Sequence, residues 1–493
     1  MLHIYKIPVS VKANEALKSV FLKLSCLMVC VITILLLLSA QAFSKTVSQN
    51  HSNPPHSIKG AKLSQCVLCH GPLAETKSPE EAPEIFQECS LWNHCIMCHG
   101  KGSAKGDGKA ASFLYPKPRN LNSGILKFRE TSVGEPPSDD DIFKIITEGI
   151  PGSSMPSFAF FSEEERWALV DHIKTLTGIQ AKTPQRKIVI PESPPVTLKL
   201  LGKGKYIYNT TNCWECHGKE GKGNGPKASM LRDDWGDKII PRDFTKGVYK
   251  GGGAPSDLYQ RIALGIEGTP MLPYEDILTP QSIWSLVHYI RSLANDKIYE
   301  FSTPENLVVK KIESSIIMNP ASTFWKEVPG IKIPTSKLWQ EKEGLDFVIV
   351  RSAHNGKKIA FLLEFTNKSL SGAALQFPIL PGSPPPAAAM GEKNKGVNIW
   401  YWRPEIKNYG EFHAEGIGTL AQFDGSKSLF AKAHIEKNKL KLLFVRDMAT
   451  CVKFDSQFLS GKENFFAIAY WNKTTGKKMA GKNISTWYKM LIE

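Results

Sequence analysis

Three pentapeptides in the chain share the pattern Cys-x-x-Cys-His, namely Cys66–His70, Cys95–His99 and Cys213–His217. Two thiols at this spacing can add to the two vinyl groups of one porphyrin, and the following histidine can bind the iron, as in c-type haem attachment. A metal site or a redox dithiol is the alternative, but neither needs the adjacent histidine or explains three copies. We therefore expect covalent haem c at the second and third motifs, through Cys95, Cys98, Cys213 and Cys216, with His99 and His217 on the iron.

A methionine follows each of these two motifs at nearly the same distance. Met155 comes 56 residues after His99, and Met271 comes 54 residues after His217, both beside prolines in Gly/Pro-rich loops. A core methionine usually fills a gap in the packing, but equivalent positions in two loops favour iron ligation. His–Met ligation saturates the iron and raises its potential. Met155 and Met271 are therefore expected to be distal ligands of electron-transfer haems.

The first motif is expected to attach a third haem c through Cys66 and Cys69, with His70 on the iron. Too few residues separate it from the next unit for a cytochrome fold of its own, so this haem would pack on that unit. Its distal ligand stays open between a histidine and no ligand at all; the histidines are His51, His56 and His94. The alternative is a degenerate motif whose thiols form a disulfide in an oxidising compartment.

A tandem repeat carries the second and third motifs. Four residues of one helix face, Trp167, Val170, Ile173 and Leu176, recur 117 positions later as Trp284, Val287, Ile290 and Leu293. Their spacing is typical of an amphipathic helix. Ser162–Glu165 reads as a capping box for the first copy, and Thr279-Pro280 as the start of the second. The chain thus contains two small helical units, over residues 80–180 and 200–295.

Residues 80–178 and 200–294 resemble class I cytochrome c domains. The resemblance covers Cys-x-x-Cys-His-Gly, a glycine-rich loop (Gly106–Gly108 and Gly223–Gly225), a distal methionine loop and a closing aromatic helix. It implies haem c and electron transfer for both units.

The sequence pattern changes from helical to β-rich after the second unit. A proline-rich linker over 181–199 and a second linker over 296–318 separate the parts. Phe347–Arg351 and Ile359–Phe365 flank Asn355-Gly356, a strong hairpin signal, and two later runs, Lys439–Arg446 and Phe465–Trp471, are also β-rich. The predicted fold is two small all-α cytochrome c domains followed by a mainly β sandwich over 319–493.

Residues 319–493 resemble the haem b-binding subunit of ethylbenzene dehydrogenase and its relatives in the type II branch of the dimethyl-sulfoxide-reductase family. The matching stretches are Ala374–Pro378, Ala389–Gly391, Val397–Trp402, Ala469–Asn472 and Gly481–Trp487. In that family a non-covalent haem b is held between a methionine and a lysine, and the matching positions are Met390 and Lys482. Lysine must be neutral to bind iron, which requires desolvation and a lowered pKa. A pocket closed by Trp400, Trp402 and Trp487 is expected to provide this.

The resemblance also implies partners. In that family the haem b subunit exchanges electrons with an iron–sulfur subunit beside a molybdopterin catalytic subunit. The chain is expected to be the multihaem, gamma-like electron-transfer subunit of an exported molybdenum oxidoreductase, with a nitrite oxidoreductase-type complex favoured and no catalytic residue of its own. A soluble cytochrome c or a terminal oxidase would be the electron-transfer partner of the c haems. The alternatives are a free-standing electron carrier or sensor, or a haem enzyme with an open iron at His70.

Composition is consistent with this outline. The chain has 493 residues, 42% hydrophobic and 22% charged, which suits about three folded domains. Its net charge of +15 suggests anionic partners, but haem propionates offset it and no recognition motif points to nucleic acid.

The N-terminus has the pattern of an export signal. Lys12, Lys18 and Lys23 precede an apolar run, Leu24–Leu38, and the small-residue site Ala40–Ala42. Residues 1–42 are expected to be a signal peptide, with an uncleaved membrane anchor as the alternative, and 43–79 an extension that carries the first motif. The body of the chain would lie in the periplasm or an equivalent extracytoplasmic compartment.

Overall fold

The computed structural model describes residues 90–101, 104–179, 186–294, 298–299, 306–337, 345–366, 370–380, 385–388, 390–404, 408–422, 428–472 and 482–493. The predicted signal segment and the first motif, Cys66–His70, lie outside these ranges, so both stay predictions. Within the described ranges, no helix combines the length and apolar character that a membrane crossing requires.

The described residues of the first helical unit form three α-helices: α1 (Ile96–His99), α2 (Asp139–Glu148) and α3 (Glu163–Thr177). Short 3-10 turns lie at Ser90–His94, Ala111–Phe113 and Leu121–Ser123. The predicted capping box at the start of α3 is confirmed, because the Ser162 hydroxyl accepts from the Glu165 amide and the Glu165 carboxylate accepts from the Ser162 amide. Ser138 and Asp141 cap α2 in the same way.

The second unit repeats this plan with α4 (Leu198–Thr210), α5 (Trp214–His217), α6 (Pro255–Leu264) and α7 (Pro280–Ser292). Helix α7 begins at Pro280 and is capped by Thr279, as the sequence predicts. Helices α4 and α7 cross at Gly204, where a Cβ atom would overlap the carbonyl oxygen of Ser285. Only glycine permits this close approach of the two backbones.

The C-terminal region is β-rich, with one short helix, α8 (Phe324–Glu327). Its strands are β1 (Leu307–Lys311), β2 (Gly330–Lys337), β3 (Leu345–His354), β4 (Lys358–Phe365), β5 (Leu370–Pro378), β6 (Val397–Arg403), β7 (Asn408–Ala414), β8 (Ala421–Gln422), β9 (Phe430–Glu436), β10 (Lys439–Asp447), β11 (Asn464–Asn472), β12 (Lys482–Ile484) and β13 (Tyr488–Ile492). The strand order is β8-β7-β6-β5-β11-β12-β2-β3-β4-β10-β9. Strand β1 pairs in parallel with β3 and β13, and β11 pairs with both β12 and β13.

All four β-rich runs of the sequence form strands here, and β3 and β4 make the predicted hairpin around Asn355-Gly356. Strand β1 lies inside the segment 296–318, which the sequence assigns to a linker. The sequence did not predict this strand because its pairing partners, β3 and β13, lie later in the chain. The chain therefore combines two helical units with a large sheet. The packing of that sheet as a sandwich stays a prediction.

Strands β5, β6 and β11 bury side chains on both faces. One face carries residues such as Leu375, Trp400 and Ile468 into the main core, which they share with β2, β3, β4 and β10. The opposite face forms a second cluster, made by Ala374, Val397, Ile399, Ala414, Phe465, Ala467 and Trp487. Because side chains alternate along a strand, neighbouring residues belong to different faces. The candidate site of the β region lies on the face of the sheet that carries this second cluster.

Candidate haem sites

The two haem c motifs of the described residues lie on the single-turn helices α1 and α5. The amide of His99 bonds to the carbonyl of Cys95 at 2.8 Å, and that of His217 to Cys213 at 3.0 Å. One helical turn thus places the first cysteine and the histidine on the same face. Among the described residues, the thiols form no disulfide. This donor set fits a covalently attached haem.

The histidine of each motif is oriented by a backbone carbonyl. Nδ1 of His99 lies 3.4 Å from the Arg119 oxygen, and Nδ1 of His217 lies 3.4 Å from the Arg242 oxygen. Burial lowers the pKa of His99 and lowers that of His217 to about 4. A neutral ring that donates from Nδ1 presents Nε2 as the nitrogen for a metal, the usual arrangement of haem and metal histidines.

The two methionine loops are built identically. The amide of Ile150 bonds to the Met155 carbonyl and the amide of Ile266 bonds to the Met271 carbonyl, both at 3.0 Å. The Met155 amide donates to the Ser153 hydroxyl at 3.1 Å, and the Met271 amide donates to the Thr269 hydroxyl at 3.2 Å. These shared bonds support the equivalent roles that the repeat predicts.

Met155 and the Cys95–His99 motif pack against the same part of the first helical unit. Met155 is half-buried and packs against the hydrophobic cluster that also receives Cys95 and Ile96. Met271 is half-buried as well, and Tyr274, three residues later, packs on the cluster that receives Cys213. Iron ligation by either methionine stays a proposal.

Met390 lies in a tight turn beside the second cluster of the β region. Its φ of 70° is uncommon for a residue other than glycine and is maintained by its surroundings. The Met390 amide bonds to the Ala388 carbonyl at 3.0 Å, and its own carbonyl accepts from the Gly416 amide at 2.8 Å. The side chain packs against the second cluster. Two backbone bonds thus hold the turn from which the Met390 side chain extends.

Lys482 lies on the same side of the sheet. It opens β12 directly opposite Trp471 of β11, and its Nζ lies 5.3 Å from the centre of the Trp471 ring. Trp471 itself packs against the second cluster. Burial lowers the pKa of Lys482, because desolvation disfavours the ammonium form. A thioether and an amine of lowered pKa on one apolar face fit the donor set that the resemblance implies for haem b.

The predicted tryptophan closure of this pocket is partly wrong. Trp400 and Trp402 lie on the main-core face, where the Trp400 ring lies 4.5 Å from that of Phe377. They alternate with Ile399 and Tyr401, which pack on the second cluster instead. Of the three predicted tryptophans only Trp487 joins that cluster, and its indole donates to the Pro386 carbonyl at 2.6 Å. The period-2 pattern of β6 contained the signal needed to separate the two sets.

His94 ends the 3-10 turn Ser90–His94, directly before the Cys95–His99 motif. The sequence offers it as one distal ligand for the haem at His70, which lies outside the described residues. In the structure the His94 ring centre lies 4.9 Å from that of Phe161 and 5.9 Å from that of Phe160, which packs against the second cluster of the β region. Burial lowers the His94 pKa to about 3. The residue therefore lies at the junction of the first helical unit and the β region.

Ion pairs join the two helical units, which the sequence did not predict. The guanidinium of Arg129, 6% exposed, contacts the Glu267 carboxylate at 2.6 Å, and Lys144 contacts Asp257 at 3.1 Å. Glu267 lies four residues before Met271, so the first unit touches the methionine loop of the second.

Comparison with known families identifies the helical units. Residues 79–173 match the family described as cytochrome C oxidase, cbb3-type, subunit III, and residues 201–294 match the cytochrome c family. The two units are cytochrome c domains, which carry c-type haem, and the chain is a multihaem cytochrome with an electron-transfer role.

Two curated relatives match part of the chain. A respiratory nitrate reductase heme subunit, ORF7, of Haloferax mediterranei is 24% identical over 185 residues, 34% of this chain and 66% of that protein. The cbb3-type cytochrome c oxidase subunit FixP of Azorhizobium caulinodans is 25% identical over 237 residues, 47% of this chain and 67% of that protein. The chain therefore spans about two thirds of each relative.

A solved structure is also similar. A chain of the reducing HAO-like protein complex of Kuenenia stuttgartiensis is 38% identical to this chain, with a TM-score of 0.40, and the match covers 41% of this chain and 94% of that one.

Proposed function

We propose that this multihaem cytochrome is the electron-transfer subunit of an exported molybdenum oxidoreductase complex of the nitrite oxidoreductase type. The observation that carries the proposal is the position of Met390 and Lys482 on one apolar sheet face, beside the first cytochrome c domain. A haem b bound there would supply one-electron exchange between ferrous and ferric iron. Met390 and Lys482 would hold its iron, and Trp487 and Phe465 would exclude water from it.

The route that we propose runs through the whole chain. Electrons enter from an iron–sulfur subunit beside a molybdopterin catalytic subunit, reach haem b, and continue to haem c at His99 and His217, with Met155 and Met271 as distal ligands. A soluble cytochrome c or a terminal oxidase takes them at the end. The proposal includes a third haem c on Cys66 and Cys69, with His70 as its proximal ligand.

The comparisons support a place in a respiratory assembly. One relative is described as a nitrate reductase heme subunit and another as an oxidase subunit, and the first of these supports a nitrogen oxyanion as substrate of the complex. Residues 1–42 would export the chain, or anchor it, so that the domains work in the periplasm or an equivalent compartment.

The test is to isolate the full chain with a C-terminal tag from the organism that encodes it. We expect molybdenum and an iron–sulfur protein to co-purify. Nitrite should reduce the haem iron of the isolated complex, as followed by the haem absorption bands. A chain that purifies alone, with haem c and no molybdenum, would overturn the proposal in favour of a free-standing carrier.

A further inference from the structure

The two methionine loops contain equivalent glycines that lie against arginines of the opposite cytochrome c domain. Gly152 and Gly268 each lie three residues before the loop methionine, Met155 or Met271, and have φ values of 75° and 74°. A Cβ atom on Gly152 would lie 2.8 Å from the guanidinium of Arg242, a residue of the second domain. Because glycine has no side chain, another group can approach the loop backbone closely at this position.

At Gly268 two side chains make the corresponding contact. A Cβ atom on this glycine would lie 2.6 Å from the Trp235 ring and 3.4 Å from a guanidinium nitrogen of Arg119, which belongs to the first domain. Arg119 in turn lies over the Trp235 ring, 3.7 Å from its centre. The Asp234 amide donates to the Gly268 carbonyl at 3.1 Å, so the segment that carries Trp235 is bonded to the methionine loop.

An ion pair with a buried arginine joins the first domain to the same loop. Glu267 directly precedes Gly268, and its carboxylate lies 2.6 Å from Nη1 of Arg129, whose side chain is 6% exposed. The same nitrogen donates to the Glu135 carbonyl at 2.6 Å, which holds the guanidinium within the first domain. The first domain therefore contacts two adjacent residues of the second methionine loop.

Arg119 and Arg242 have equivalent places in the two domains. The Arg119 carbonyl oxygen lies 3.4 Å from Nδ1 of His99, and the Arg242 carbonyl oxygen lies 3.4 Å from Nδ1 of His217. The Arg242 guanidinium is also held by a hydrogen bond from its Nε to the Val248 carbonyl. Each arginine thus has its backbone beside the haem motif of its own domain and its side chain on the methionine loop of the other.

We infer that Arg119 and Arg242 are positioning residues, through which each cytochrome c domain holds the methionine loop of the other. We call this pair of contacts the mutual clamp. It makes the sixth coordination position of each haem c depend on the docking of both domains. The inference rests on the proposed function, in which Met155 and Met271 are the distal ligands.

The physical reason lies in how loop ligands are held. Each methionine loop is closed by few bonds of its own, among them one amide-to-carbonyl bond between its ends, Ile150 to Met155 or Ile266 to Met271. Opening of such a loop withdraws the thioether, and the population of open loops follows from the free energy of all contacts that hold the loop closed. Contacts from the partner domain therefore lower that population.

The experiment measures imidazole binding to the ferric full chain, because imidazole competes with a loop methionine for the iron. Arg242→Ala removes the side chain at Gly152 but keeps the carbonyl at His217. We expect the haem of the first domain to bind imidazole about fivefold more tightly, a ratio that corresponds to about 1 kcal/mol. Arg119→Ala should have this effect on the haem of the second domain.

Double variants assign the effect to one haem. In Met155→Ala the haem of the first domain already lacks its competing ligand, so adding Arg242→Ala should change imidazole affinity little. In Met271→Ala, adding Arg242→Ala should act on the first-domain haem as it does in wild type. A general loss of stability would not produce this crossed pattern.

Hydrogen exchange provides a second readout, which does not depend on ligand binding. The Ile150 amide, which closes the first loop, should exchange faster in Arg242→Ala, and the Ile266 amide should exchange faster in Arg119→Ala. In each variant the loop of the altered domain itself should change less. Arg232→Ala, an exposed arginine of the second domain, is the matched control and should leave both loops unchanged.

The outcomes separate this inference from the proposed function. If both methionine variants bind imidazole more tightly than wild type, but both arginine variants behave like Arg232→Ala, the mutual clamp is wrong and the proposed ligation stands. If each arginine variant changes only the haem of its own domain, the mutual clamp is also wrong. If neither Met155→Ala nor Met271→Ala changes imidazole binding, the proposed ligation is wrong, and the inference with it.

Discussion

Arg119 of the first cytochrome c domain stacks its guanidinium over the indole ring of Trp235 in the second domain, at 3.7 Å from the ring centre. The backbone carbonyl of Arg119 also orients the ring of His99. The backbone carbonyl of Arg242 orients His217, and its guanidinium extends to the first domain. It lies so close to Gly152 that a Cβ atom on that residue would be 2.8 Å from it. Arg119 and Arg242 therefore each contact the other cytochrome c domain.

The first prediction concerns this contact. Arg119→Ala keeps the backbone carbonyl but removes the cation–π contact, which contributes about 1 to 2 kcal/mol when desolvated. The two cytochrome c domains should then unfold less cooperatively, with a lower first transition in differential scanning calorimetry. Arg232→Ala, an exposed arginine of the second domain, is the control. Identical melting curves for both variants would contradict this account of the interface.

The second prediction concerns the distal ligands. Replacing Met155 or Met271 by alanine should open the sixth coordination position of one haem c and lower its midpoint potential, because thioether ligation raises the potential. Redox titration and imidazole binding to the ferric protein measure both effects. Met230→Ala, 69% exposed in the second domain, should change neither. An unchanged midpoint potential in either variant would show that the replaced methionine is not a ligand of the iron.

The third prediction concerns acid stability. The pKa of the buried His94 is lowered to about 3 from 6.5, chiefly by burial and further by the charge of Lys395. Below about pH 6.5 the unfolded chain binds a proton that the folded chain does not, so this group lowers the free energy of unfolding by up to about 1.4 kcal/mol per pH unit. Urea unfolding at pH 7.5 and pH 5 should show this loss.

The matched measurement uses His94→Leu, which has no titrating ring. Its unfolding free energy should vary less between the two pH values than that of wild type. An equal pH dependence in both proteins would show that the ring does not stay neutral on folding.

Local sequence rules predicted the elements that depend on neighbouring residues. The capping box at Ser162, the start of α7 at Pro280 and the hairpin at Asn355-Gly356 each follow from a few adjacent side chains. Contacts between distant segments were not predictable in this way. Strand β1 forms because β3 and β13 flank it, and the stacking of Arg119 on Trp235 requires the relative placement of two domains.

The candidate haem b site shows the same division. Family resemblance selected Met390 and Lys482, and the structure places both on one side of the sheet. The alternation along β6 places Trp400 and Trp402 on one face, but it does not say which face of the sheet lies beside Met390. In the structure both tryptophans belong to the main core.

The fourth prediction concerns Lys482. Lys482→Ala should abolish haem b binding and leave covalent haem c in place, since the c haems are attached by thioether bonds in other domains. Lys439→Ala, an exposed lysine of β10, is the control and should retain both haem types. Visible spectra of the dithionite-reduced proteins distinguish these results, and full haem b content in Lys482→Ala would exclude this lysine as an essential ligand.

The central claim is tested most directly by a pyridine haemochrome spectrum of the full chain, purified from a host that matures c-type haem. The account predicts about three haem c to one haem b, from three Cys-x-x-Cys-His motifs and one Met390–Lys482 site. Haem c with no haem b would contradict the account and leave a multihaem carrier without a link to a molybdenum enzyme.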